Sequence, residues 1–249
     1  MAPITSKDNP RVKEARKLLT RKGRRQSGSY LIEGFHVLEE ALRAGITPIE
    51  TFAASEATEK LPPGVTAFTP VTEAVLKSLS DTQTPQGVVA VLAMDADTAD
   101  VSGSKYLVLE NIQDPGNVGT MVRTADAAGF DGVFTIGETA DIYSPKVMRA
   151  MQGSQFHLPV VCTDTDELLA ALKTAGLPVL VSTLSADSVP CQAVSAQRFA
   201  LVMGNESRGV TEDLLRAADA RVRIDMPGRA ESLNVAVAAG ILMFSLGGI

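Results

Sequence analysis

The chain has no tryptophan, only two histidines and only two cysteines. Cys162 and Cys191 lack any CxxC spacing, and His36 and His157 stand alone, so a disulfide framework and a zinc site are both set aside. Two buried free thiols in a reducing compartment are the expectation. No G-x-G-x-x-G follows an apolar run, no G-x-x-x-x-G-K-[ST] occurs, and there is no G-x-S-x-G elbow. Those absences exclude the dinucleotide fingerprint, the P-loop and the hydrolase nucleophile. The longest apolar run, Val235 to Leu246, is too short for a membrane span and is interrupted by Gly240. The N-terminus is polar and basic with no apolar region behind it, unlike a signal peptide. A cytoplasmic globular protein whose chemistry needs neither a histidine base nor a metal is expected.

The 249 residues suffice for one large domain or two modest ones, and 45% hydrophobic with 21% charged residues suits a folded chain. Net charge is −6, yet residues 1–25 hold nine basic side chains against Asp8 and Glu14. That leaves +7 on the first tenth of the chain and −13 on the remainder. A basic segment on an acidic body suits a phosphate backbone, and Lys13, Lys17, Arg21, Arg24 and Arg25 are its candidate contacts. The plainer reading is a solvated helix face.

Asn9 and Pro10 read as N-cap and first position of a helix. "RKGRRQSG" reads as a basic loop, and "YLIEG", "PIETFAA" and "GVVAVLAM" as strands separated by the helices "FHVLEEALRAG" and "VTEAVLKSLS". This makes a small α/β unit over 1–94. "DADTADVSGS", residues 95–104, is polar and without apolar period, and is the linker candidate. Over 105–249 the alternation continues through "YLVLENI", "GVFTIG", "HLPVVC", "LPVLVSTL", "RFALVMG" and "RVRIDM", with helices between them. Near-continuous apolar strands alternating with helices predict an α/β fold, a mostly parallel sheet covered on both faces.

Ligands of open α/β sheets sit beyond the carboxyl ends of strands. Three loops there are rich in glycine and polar residues: "ENIQDPGNVGTMVRTADAAG", "MGNESRGV" and "DMPGRAESLN". Each has a dull reading. Asn117 could cap a helix starting at Val118 and Ser232 the last helix, Arg123 could be a surface residue, and Glu206 a turn residue. Together they predict a polar, glycine-lined ligand site without naming the ligand.

In this order the three stretches resemble the signature motifs of the SpoU (TrmH-like) branch of the SPOUT RNA methyltransferases. Asn117, Arg123, Thr124 and Gly129 fit the first motif. Gly204, Glu206 and Gly209 fit the G-x-E-x-x-G of the second. Ile224, Met226, Pro227, Ser232, Leu233, Asn234 and Val235 fit the third. The first ninety residues more loosely resemble the family's L30e-like RNA-binding domain, in the version found in ribosomal-RNA-type members.

The resemblance implies an S-adenosylmethionine-dependent RNA 2′-O-ribose methyltransferase, with 23S ribosomal RNA favoured as substrate. The alternatives are a tRNA 2′-O-methyltransferase and a non-catalytic RNA-binding or ribosome-assembly protein on the same scaffold. It implies a deep trefoil knot and a homodimer whose core includes the final helix. It places Met203, Gly204, Ile224, Met226 and Leu233 on the cofactor, and Arg123, Asn117, Glu206, Ser232 and Asn234 at the methyl-transfer site. Arg123 would clamp the target phosphate and stabilise the developing alkoxide, with Ser232, Glu206 or a phosphate oxygen taking the proton.

Overall fold

The computed structural model describes residues 2–94 and 100–247. The chain divides into two compact units, Met1–Ala96 with Asp141–Phe156, and Asp97–Ala140 with His157–Ile249. The linker candidate falls at the first crossing, and residues 95–99 of it lie outside the described residues. The division drawn from sequence, 1–94 and 105–249, is continuous; the packing units are not.

In the first unit, α1 (Pro10–Lys17) starts where Asn9 and Pro10 predict, the Asn9 side chain accepting from the Arg11 amide. The expected basic loop is instead a second helix, α2 (Arg21–Ser27). Caps rather than apolar periodicity define it: Thr20 accepts from the Gly23 amide, and Gly28 ends it in the left-handed conformation. There follow β1 (Ser29–Glu33), α3 (Phe35–Arg43), β2 (Glu50–Ala54), a 3-10 segment, β3 (Thr69–Val71), α4 (Glu73–Ser78) and β4 (Val88–Ala93). The sheet order is β1-β4-β2-β3, antiparallel except for β2 with β3. Val12, Ala15 and Leu18 join Leu31, Phe52, Val75, Leu76 and Val89 in one core on one face of this sheet.

The second unit carries β5 (Lys105–Glu110), α5 (Pro115–Ala127) and β6 (Gly132–Ile136). After the excursion that holds α6 (Pro145–Met151) come β7 (Val160–Cys162), α7 (Thr165–Thr174), β8 (Val179–Ser182), β9 (Val189–Pro190) and β10 (Phe199–Met203). Then α8 (Glu212–Ala217), β11 (Ala220–Arg223) and α9 (Val235–Leu246) complete the unit. Seven strands lie in the order β7-β6-β5-β10-β8-β11-β9, every pair parallel. The two-residue alternation of strands separates two cores. Val108, Phe134, Val181 and Val202 share one with Leu168 and Leu172 of α7 and Leu214 of α8. Burial on both faces explains why β5 and β10 read as unbroken apolar runs.

The excursion packs within the first unit. Val147, Met148 and Met151 are buried, and the Tyr143 ring packs against that of Tyr30, centroids 4.8 Å apart and planes tilted by 46°. Arg24 donates from Nη2 to Asp141 at 2.7 Å and from Nη1 to the Leu18 carbonyl at 2.8 Å.

One expectation changes. Of the two free cysteines Cys191 is buried but Cys162 is exposed. Helix α9 is not apolar because it is buried all round. Val235, Ala239, Leu242, Met243 and Leu246 face inward, while Val237 (52%), Ile241 (38%) and Phe244 (39%) form an exposed apolar stripe with Leu233 before them. Among the described residues, no helix is long and apolar enough to cross a membrane.

Candidate active site

The three polar loops converge at the carboxyl ends of the strands of the second unit. Their positions follow from capping. Asp114, not Asn117, caps α5, its Oδ1 accepting from the Asn117 amide at 2.9 Å. Asn234, not Ser232, caps α9, its Oδ1 accepting from the amides of Ala236 and Val237. The Asn117 side chain is therefore not occupied in ending its own helix. Its Nδ2 donates to Glu206 Oε1 at 2.9 Å, and its Oδ1 accepts from Asn234 Nδ2 at 3.1 Å. One carboxamide, itself half-buried, thus joins the second loop to the third through the exposed side chains of Glu206 and Asn234.

Beside this chain lies a cavity of about 360 Å³, within the range that small ligands and cofactors fill. Met203, Gly204, Ile224, Met226 and Leu233, the five residues proposed for a cofactor, all line it, as do Glu206 and Ser232. Gly204 is where the wall is tightest. A β-carbon there would stand 2.5 Å from the carbonyl carbon and oxygen of Gly209. Asn205 and Gly209 exchange backbone bonds of 3.0 and 2.9 Å, which draws the loop shut on itself.

Arg123 is on α5, six residues past Asn117 and about 9 Å further along the axis by helix rise. It is exposed, lines no part of the cavity and has no hydrogen bond or ion pair among the described residues. The structure thus joins Asn117, Glu206 and Asn234 directly, gathers Glu206 and Ser232 with the five cavity residues, and leaves Arg123 outside both sets.

The basic residues belong to the first unit. Lys13, Lys17, Arg21 and Arg25 are exposed. Lys13 pairs with Asp8 at 3.0 Å, and its hydrogen bond and charge hold the Asp8 carboxyl below its ordinary pKa. Lys17 pairs with Glu14, and Arg21 stands 3.8 Å from Asp141. Arg24 is a correction. It is 3% exposed and tied to Asp141 and Leu18, so its guanidinium is part of the fold and is not presented to RNA.

Several cavity residues carry no motif signal. Ser182 ends β8, Thr183 and Leu184 follow it, and Arg208 lies in the second loop; only their place at or after a strand end could have marked them. Arg223 also lines the cavity, but its Nε is engaged by Asp225 at 2.9 Å.

Residues 104–244 match the SpoU rRNA Methylase family, and residues 9–90 match the MRM3-like substrate binding domain. The chain belongs to the SpoU rRNA methylase family. It is 39% identical to the 23S rRNA (guanosine(2553)-2′-O)-methyltransferase RlmP of Bacillus subtilis, with all of both chains covered. It is 30% identical to the 23S rRNA (uridine(2479)-2′-O)-methyltransferase of Streptomyces viridochromogenes, over 97% of this chain and 90% of that one. Among solved structures, the AdoMet-bound rRNA methyltransferase from Sinorhizobium meliloti is similar, with TM-score 0.88 and 32% identity. That match covers 98% of this chain and 97% of the other. SpoU membership gives the α/β fold its place, and the two family matches leave residues 91–103 between them.

Proposed function

We propose that this chain is an S-adenosylmethionine-dependent 2′-O-ribose methyltransferase acting on 23S ribosomal RNA in the cytoplasm. One observation carries the reading: the five residues assigned to a cofactor by resemblance line a single cavity, and the Asn117 carboxamide joins the two loops that flank it. The cavity has the volume, the apolar wall of Met203, Ile224, Met226 and Leu233, and the polar edge of Glu206 and Ser232 that a nucleoside with an amino-acid tail would use. When bound, S-adenosylmethionine supplies an activated methyl group on a sulfonium.

The protein's part is to position a ribose hydroxyl and receive its proton. Asn117 engages Oε1 of Glu206 and so fixes the carboxylate's direction. The proton leaves through Glu206, Ser232 or a phosphate oxygen. Arg123 cannot serve as a base, since a guanidinium stays protonated; its charge steadies the alkoxide and the neighbouring phosphate.

The exposed stripe Val237, Ile241 and Phe244 supports a homodimer through α9, which would dry the edge of the site. The deep knot belongs to the same reading. In the first unit Lys13, Lys17, Arg21 and Arg25 supply phosphate contacts.

The test incubates purified protein, its mass checked by sedimentation, with methyl-labelled S-adenosylmethionine and separated large rRNA, small rRNA and tRNA. Label in large rRNA as alkali-resistant 2′-O-methylribose, from a dimer, is the expected result. Label in tRNA, or in no RNA or ribosomal particle, would overturn the assignment. A second measurement concerns RNA affinity. Replacing Lys17 and Arg25 together by alanine should lower the slope of log K against log salt by roughly 0.7–0.9 per lost phosphate contact. Arg24→Ala should lower thermal stability instead. An unchanged slope in the double variant would remove these residues from the RNA contact.

A further inference from the structure

The second loop, Gly204 to Val210, forms one wall of the cavity, and both its ends are held by two consecutive residues at the carboxyl end of β5. At the exit, the Glu110 carboxylate, 3% exposed, accepts from the Thr211 amide at 2.9 Å and from the Thr211 hydroxyl at 2.6 Å. At the entry, the Asn111 carbonyl accepts from Asn205 Nδ2 at 2.9 Å. Asn205 then uses Oδ1 to accept from the amides of Ser207 and Arg208, at 2.9 and 3.1 Å, and so shapes the turn between the two anchors.

Two costs point to something other than filler. Among the described residues the buried Glu110 carboxylate is satisfied by neutral donors alone, and buried ionisable side chains are rare without a charged partner. Asn111 has φ of +55°, a left-handed conformation that asparagine tolerates better than most residues but still sparsely populates. It is held there by its own side chain, whose Oδ1 accepts from the Glu138 amide at 2.7 Å. Backbone strain of this kind persists where the surroundings over-determine it, and it clusters at functional sites. Neither residue belongs to the three motif signatures as matched above.

We infer that Glu110 and Asn111 are positioning residues: a two-point clamp that holds the 204–210 loop in the shape that receives the cofactor. The inference rests on the methyltransferase reading for its ligand but not for its mechanics. Without these two ties the seven-residue loop would sample more shapes, and each would lower the fraction of molecules competent to bind. Clamping both ends removes that loss before the ligand arrives, as preorganisation does in general.

The experiment separates the tether from the fold. Asn205→Asp keeps the oxygen that accepts from Ser207 and Arg208 but removes the N–H given to Asn111, setting oxygen against oxygen. Glu110→Leu removes both acceptors at Thr211. Glu110→Gln keeps one acceptor for the Thr211 amide, while the hydroxyl can turn to accept from the new amide.

Amide hydrogen exchange is measured across the chain, with S-adenosylmethionine affinity by calorimetry. The expected result is exchange about tenfold or more faster at residues 205–210 in Asn205→Asp and Glu110→Leu, with the amides of β5 and β10 little changed. The dissociation constant should rise by about tenfold, with kcat at saturating cofactor changed far less, and Glu110→Gln should recover most of the loss. Exchange in the loop equal to the parent's in Asn205→Asp would overturn the clamp, even if Glu110→Leu fails to fold. Faster loop exchange without loss of affinity would also overturn its role in binding. A parent protein that binds no cofactor would sink the methyltransferase reading, while the exchange measurement would still decide the clamp.

Discussion

Replacing Arg123 by alanine is expected to lower the rate of methyl transfer by roughly 10²–10³-fold and to leave cofactor affinity within about twofold of the parent. The split follows from where Arg123 stands. It lies outside the cavity lining, so its loss takes nothing from the cofactor's surroundings. It is exposed and makes no bond within the described residues, so its loss should cost the fold no more than about 0.5 kcal/mol. A side chain held by nothing in the free protein is available to a ligand, and a fixed cation suits a developing alkoxide beside a phosphate. Lysine at this position keeps the charge but not the planar fork, and should recover only part of the rate. Single-turnover assays at saturating cofactor would decide it. Transfer within threefold of the parent in Arg123→Ala would remove the residue from the chemistry.

Gly204→Ala should strike the other half of the site. Its β-carbon would meet backbone atoms of Gly209 at 2.5 Å and the Val210 side chain at 2.6 Å. Backbone cannot step aside as the end of a flexible side chain can. The loop must open or β10 must shift, at a cost of about 1–3 kcal/mol. If the opening displaces the cavity wall by even part of an ångström, cofactor affinity should fall by about 10–100-fold. Gly228→Ala is the internal control: it lies in the third loop, has ordinary φ, and its added β-carbon meets nothing within 4 Å. Calorimetric titration of both variants should show loss in the first and parent-like binding in the second. Equal binding in the two would mean that the loop closure at Gly204 does not shape the cavity.

Sequence patterns revealed the parts of this molecule governed by local rules. The parallel strands were legible because β5, β6 and β10 are apolar on both faces, and α1 because Asn9-Pro10 is an explicit start. Helix α2 was not, since "RKGRRQS" has no apolar period and is held by its caps. The short β3 and β9 gave too few residues for an alternation to register.

The motif residues were legible as a cluster but not as a network. Asn117 and Ser232 looked like caps until Asp114 and Asn234 proved to be the residues capping those helices. Arg24 was misread for a related reason. Among arginines and lysines nothing local distinguishes the buried one, and its partner Asp141 is 117 residues away. Glu110 carries no local signal of its role either, because its partner Thr211 is 101 residues distant.

That same separation between Arg24 and Asp141 sets a timetable for synthesis. The ribosome delivers residues in order, and the first unit is not complete when its opening stretch, Met1–Ala96, has emerged. Arg24 must wait for Asp141, Tyr30 for Tyr143, and the surface of β1 for α6. By then β5, α5 and β6 of the second unit have already been made. A nascent chain that stalls before α6 therefore holds an uncompensated cation and an uncovered sheet face. The first unit cannot finish folding on its own account; it is closed by a piece of chain that arrives only after the second unit has begun.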